Sequence, residues 1–256
     1  MKKQLRFAAA LALCLCSSLA TSQAQFGGQG GSPGSAFGGS MAKLFGDNTT
    51  YSATLDSQVK SDSGGDPMSV PAKLTYDQGK TRFEMDLTKA SGIKIPPQAL
   101  TQMKAMGMDV MVMISRPDKK MAYIVYPGMK AYVEMPMSDT DAATKPDQFK
   151  METTELSKET VDGHSCVKNK QVVTDDKGKT NEYTAWNAAD LKKFPVKIEM
   201  TEKGQAVSLS FKDIKFDKVE AAQFETPAGF TKYDSMQAMM QGEMMKRMPQ
   251  GGAGGN

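Results

Sequence analysis

Between Asp109 and Met137 the chain reads DVMVMIS, MAYIVY and AYVEMPM, three apolar runs separated by Arg116-Pro117-Asp118 and by Pro127-Gly128. Proline followed by Asp or Gly is turn chemistry, so the pattern predicts an antiparallel three-stranded meander. A period of two places Val110, Val112 and Ile114 on one face and Met111 and Met113 on the other. In the middle run Met121, Tyr123 and Val125 oppose Ala122, Ile124 and Tyr126. A strand with one wet face alternates apolar with polar. Here both faces are apolar, so both need a cover, from protein or from a ligand.

The pattern elsewhere is more ordinary. Thr50 to Val59 alternates and ends at the loop 61–67. Ala72 to Tyr76 and Thr81 to Leu87 flank Asp77-Gln78-Gly79-Lys80, a hairpin signal. Further runs follow at Met151 to Val161, Ser165 to Thr174, Thr180 to Trp186, Pro195 to Thr201 and Ala206 to Phe216. The spacing gives roughly ten strands, as in an all-β barrel or sandwich. Two helices interrupt it. Pro96-Pro97 opens the first, Ala99, Leu100, Met103 and Met106 form its stripe, and Gly107 can cap it. In the second, Asp234 with Gln237 fits a capping box. Met236, Met239, Met240, Met244 and Met248 then share one broad face. Lys246 and Arg247 suit its end, and Pro249 stops it. Gly242 costs this helix about 1 kcal/mol relative to alanine.

The ends change the picture. Lys2, Lys3 and Arg6 precede an apolar run from Phe7 to Leu19 and then small residues to Ala24. That is the layout of a signal peptide over 1–24, with cleavage after Ala24 and with Leu19-Ala20 or Ser22 as alternatives. Cys14 and Cys16 each follow a leucine, where a lipoprotein signal needs a small residue. The expectation is a soluble periplasmic protein without a lipid anchor. Three of the 32 basic residues and none of the 29 acidic ones lie before Ala24, so the chain beyond it carries 29 of each. Such a neutral chain has no electrostatic footprint for nucleic acid. Gly- and Ser-rich residues 25–48 read as a flexible linker, and 249–256 as a similar tail. The stretch from 49 to 234 is the expected folded domain, followed by the methionine-rich helix over 235–248.

Three phrases carry a resemblance: YPGMKAYVEM (126–135), ETVDGHSCVKNKQV (159–172) and FETPAGFTKYD (224–234). With the order of elements, they make the chain resemble the LolA/LolB-like periplasmic lipoprotein-carrier superfamily, closest to an uncharacterised exported family within it. The resemblance spans about Thr50 to Asp234. It implies a mainly β fold, a curved antiparallel half-barrel closed by helices. It also implies a hydrophobic ligand, an acyl chain, lipid or lipid-modified protein; transient contact with a membrane is a further expectation. No binding residue of the carriers transfers one for one. From the pattern alone, the candidate lining residues are Val112, Ile114, Tyr123, Val125, Val133 and Met135 on the strands, with Met103 and Met106 on the first helix.

Other chemistry is thin. His164 and Cys166 share a strand face, and an imidazole can activate a thiol, but no orienting carboxylate or amide can be placed. A small buried thiol beside a surface histidine accounts for the pair. The 21 methionines raise Cu(I) binding, because thioethers are soft ligands. An adaptable apolar filler explains the same helical spacing. Tyr123, Tyr126 and Tyr132 read as cross-strand packing. With one histidine in the chain, most acid–base and metal-hydrolase mechanisms lack their usual residue. No catalytic residue, metal ligand or cofactor is expected. The readings left are a non-catalytic carrier of a hydrophobic ligand, an envelope protein-interaction or sensor module, and a Met-rich Cu(I) binder.

Overall fold

A computed structural model describes residues 39–60, 67–92, 95–138, 146–202 and 204–247. The expected signal peptide, most of the expected linker, Met248 and the tail lie outside these. The described strands are β1 (Thr50–Val59), β2 (Met68–Asp77), β3 (Lys80–Asp86), β4 (Val110–Arg116), β5 (Met121–Tyr126), β6 (Ala131–Pro136), β7 (Lys150–Val161), β8 (His164–Thr174), β9 (Thr180–Ala188), β10 (Pro195–Glu202), β11 (Gln205–Lys215) and β12 (Thr231–Tyr233). They form one open, curved sheet in the order β12-β6-β5-β4-β3-β2-β1-β11-β10-β9-β8-β7. Two meanders, β1 to β6 and β7 to β11, meet where β1 pairs antiparallel with β11. The pairing expected from sequence is antiparallel throughout, but β12 adds to β6 in parallel, so the sheet is mixed.

The two turns of the β4–β6 meander are the same device used twice. Pro117–Lys119 and Pro127–Met129 each make a 3-10 turn that ends on a lysine in the left-handed region, Lys120 and Lys130. Proline pre-sets the first turn angle, and the left-handed residue reverses the chain.

The register explains the doubly apolar meander. On one face, Ala53, Leu74, Phe83, Met113, Ile124 and Val133 are successive partners from β1 to β6. That row is apolar throughout. On the other face the neighbouring row is Thr54, Lys73, Glu84, Val112, Val125 and Tyr132. It is polar across β1 to β3 and turns apolar at β4. The second face is therefore wet along most of the first meander and covered only over β4 to β6.

Three α-helices are described, α1 (Ser40–Lys43), α2 (Pro97–Met106) and α3 (Met236–Arg247), of which α1 and α3 pack on the sheet. The first was not expected, since 25–48 reads as linker. Its Met41, and Leu44 and Phe45 just after it, are buried in the largest core cluster, with Tyr51, Leu74, Phe194 and Phe211. The Phe45 ring stacks on Tyr51 at 5.1 Å and meets Phe194 and Phe211 edge-on at 5.2 and 5.6 Å. Apolar residues at i, i+3 and i+4 make one helical face even in a short segment, and that spacing was present in the sequence at 41, 44 and 45.

Candidate functional site

The cover over the second face of β4 to β6 is the chain's own. Phe224 is fully buried with Val112, Ile114 and Val125, and Val219, Phe230, Tyr123 and Tyr132 pack around them. Ionic contacts pin this segment. Arg116, itself buried, donates to Asp118 through Nε and Nη2 at 2.9 and 2.7 Å, to the Phe224 carbonyl and to Glu225. Lys119 reaches the same Glu225 carboxylate at 2.8 Å. Hydrogen bonds from Lys119 and Arg116 hold the Glu225 carboxyl below its ordinary range.

The eight residues expected to line one ligand site are thus divided. Val112, Ile114, Tyr123 and Val125 lie under the Phe224 segment. Val133 and Met135 lie on the opposite face, packed with α3. Met103 and Met106 stand half-buried on α2. Sequence reasoning did not find Phe224 or the Arg116–Glu225 contact. The segment 217–230, with only the short 3-10 turn Ala221–Phe224, carries no periodicity that would aim it at a face.

On the helix-bearing face, α3 covers Tyr126, Ala131 and Val133 through a contact made largely of methionine. Met129 and Met239 are buried there, and Met108, Met111, Met135, Met236 and Met240 pack around them. The sequence suggested Asp234 as its cap. The cap is Ser235, whose Oγ accepts from the Ala238 N–H at 3.1 Å, because only that hydroxyl sits three residues before a free helical N–H. Glu243 is buried and accepts from Tyr233 at 2.9 Å and from Lys246 at 2.7 Å. Burial pushes its carboxyl up, but these two bonds bring it net below the usual value. Burial alone pushes the Tyr126 hydroxyl up to about 12.

The last residue of α3 reaches α2. Arg247 donates to the carbonyls of Ala105 and Met106 at 2.7 and 2.8 Å, the free C-terminal acceptors of that helix. Gly107 caps α2 in the left-handed region and lies against Gly128, where a Cβ on either would meet backbone within 3 Å. These contacts hold the C-terminal end of α2. None of its ten residues is buried, and Ala99, Leu100, Met103 and Met106 form a half-buried stripe.

Between α1 and α3 the apolar row is incompletely covered. Its ends, Ala53, Leu74 and Val133, are buried. Its middle, Phe83, Met113 and Ile124, is only half-buried, as are Met111 and Met135 beside it. Two surface depressions, one along Pro97, Gln98, Thr101 and Gln102 and one beside Asp77 and Phe216, include none of these residues.

The other candidates separate from this face. Cys166 is a free, buried thiol whose Sγ donates to the His164 carbonyl at 3.4 Å, and burial raises its pKa. The His164 ring instead pairs with Asp190 at 2.8 Å on the surface. A protonated, backbone-bonded thiol is a poor nucleophile. Among the described residues no group of three His, Cys, Asp or Glu side chains is placed to hold a metal. Tyr123 and Tyr132 meet edge-on at 6.2 Å, as cross-strand packing predicts. No described helix is long and apolar enough to cross a membrane.

The chain is similar to several solved structures. It matches the LolA superfamily protein NE2245 from Nitrosomonas europaea at 8% identity and a TM-score of 0.41, covering 73% of this chain and 97% of that one. It matches the lipoprotein LppX of Mycobacterium tuberculosis at 12% identity and 0.38, over 71% and 93% of the two chains. LprF of Mycobacterium bovis matches at 15% and 0.39, over 78% and 99%. In sequence, residues 69–193 match DUF4412, a domain of unknown function. No curated protein matches.

Proposed function

We propose that the protein is a non-catalytic, exported binder of a long apolar molecule, an acyl chain or lipid-linked group, held on the helix-bearing face between α1 and α3. One observation carries the reading: the apolar row across β1 to β6 is buried at both ends and half-open at Phe83, Met113 and Ile124. Partly exposed apolar side chains in one row leave surface on which an apolar guest gains by burial. The half-buried stripe of α2, anchored at one end, supplies a roof that can shift to admit a chain. Methionine, unbranched and polarisable, adapts to an irregular guest. The charged start and apolar run before Ala24 support export. In this reading Val133, Met135, Met103 and Met106 border the groove, and Val112, Ile114, Tyr123 and Val125 support the sheet from behind.

The test is displacement of a fluorescent fatty-acid probe. Wild type should take up the probe, and Met113→Asp and Ile124→Asp should lose it while keeping their circular dichroism. Absence of uptake by wild type overturns the reading. A second reading, an interaction module for another protein, is favoured by β7. This edge strand of 12 residues is exposed on nearly its whole length, with Leu156 53% exposed. Free edges pair with other chains. A protein partner captured with no lipid in native mass spectrometry supports that reading instead.

A further inference from the structure

The contact between α3 and the sheet is unusual in one chemical respect. Every apolar side chain that α3 sends into it is a methionine: Met236, Met239 and Met240. They meet further methionines from the sheet and its loops, Met108, Met111, Met129 and Met135. Exposure is graded along the helix. Met244 and Met245 are 54% and 70% exposed, Met236 and Met240 are half-buried, and Met239 is 0% exposed. The one described thiol, Cys166, is 1% exposed. Thioethers are therefore the sulfur that an oxidant in solvent reaches first.

We propose that α3 is an oxidisable lid, opened by sulfoxide formation at Met236 and Met240. The reagent class is a two-electron oxygen donor, hydrogen peroxide or a hypohalous acid. With peroxide, one oxygen transfers to the thioether sulfur, which is oxidised to the sulfoxide. The peroxide is reduced to water, and no carbon–sulfur bond breaks. The product is a polar, chiral group in place of an apolar one. Inside a cluster of thioethers, Tyr126 and Val133, its oxygen has few donors to meet, and burying an unpaired polar group is costly. Leaving the sheet hydrates it. The polar contacts of Glu243 with Tyr233 and Lys246, and of Arg247 with α2, lie at the far end of the helix and do not compensate an oxidised near end. Met244 and Met245 face solvent, so their oxidation leaves the lid shut and consumes oxidant first. The inference does not require a bound ligand, and its test reads the helix directly.

The experiment treats the full chain with graded hydrogen peroxide, maps sulfoxides by peptide mass spectrometry, and follows amide exchange in α3 and β6. Expected is an order: Met244 and Met245 first, then Met236 and Met240, with Met239 modified only afterwards. Exchange in α3 should rise about tenfold or more together with the second group, from a docked to an open segment. Methionine sulfoxide reductases for both epimers should restore protection in wild type. Met236→Leu/Met240→Leu keeps volume and polarity and should remain closed under oxidant. The proposal is overturned if Met236 and Met240 carry sulfoxide while α3 stays protected, or if they stay unmodified through the whole peroxide series, far beyond full oxidation of Met244 and Met245. It is also overturned if the double leucine variant opens under oxidant as wild type does.

Discussion

The ring of Tyr233 lies where a side chain at position 242 would have to go: a Cβ on Gly242 would meet its Cε1 at 2.7 Å and its hydroxyl oxygen at 2.8 Å. Read along the helix, this glycine looks like a defect of about 1 kcal/mol. In the fold it lets α3 approach Tyr233 closely enough for the tyrosine hydroxyl to reach Glu243. The two views predict opposite signs for Gly242→Ala. Helix propensity alone gives stabilisation, whereas overpacking costs about 1–3 kcal/mol. The expected outcome is faster amide exchange in α3 and a lower melting temperature. An alanine variant with a more protected α3 would mean that the ring moves aside cheaply. Sequence carries propensity but not the distance to a residue nine positions away, and this is why the role of Gly242 was not legible.

At the scale of elements, the strands were legible because period-two alternation and Pro/Gly turns are local signals. The β4 and β5 side chains sit on the faces their alternation assigns, and α2 ends at Gly107 as its pattern predicts, whereas Val133 and Met135 of β6, grouped from sequence with Val112 and Val125, lie on the opposite face. Illegible were α1, only four residues long, the three-residue parallel strand β12, and the segment that carries Phe224. The last two are fixed by what they pack against, and α1 carries its helical spacing over too few residues to stand out from the linker. The Phe224 segment is the one that answers the question raised by the doubly apolar meander. Its removal tests that answer. Phe224→Ala empties a fully buried site under Val112, Ile114 and Val125 and should destabilise by about 3–5 kcal/mol, read as a lower urea midpoint at unchanged slope. Arg116, left with its Asp118 and Glu225 contacts, should keep the loop nearby. A loss under about 1 kcal/mol would mean that water or a relaxed loop already shares that space.

At the scale of the whole molecule, the two parts of the core that carry the largest aromatic side chains and the α3 contact stand apart on the sheet. One gathers α1, β1, β2 and β9 to β11 around Phe45, Tyr51, Phe194 and Phe211. The other sandwiches β4 to β6 between α3 and the Phe224 segment. The half-open part of the apolar row lies between them, its Phe83 and Met113 packed against Val70, Ala72 and Met85, so the proposed groove and these two clusters occupy different parts of one sheet. Phe45 tests this division. Its ring joins β1, the first strand of one meander, to Phe211 on β11, the last strand of the other. Phe45→Ala should cost about 3–5 kcal/mol of global stability and raise exchange in β1 and β11. Under native conditions α3 should keep its own slower or faster exchange unchanged, since sub-global openings follow separately packed units. If α3 instead loses protection in step with β1 and β11, the two cores open as one cooperative body. The oxidisable lid would then move only with the whole fold, and a groove that opens while the core holds would have no basis.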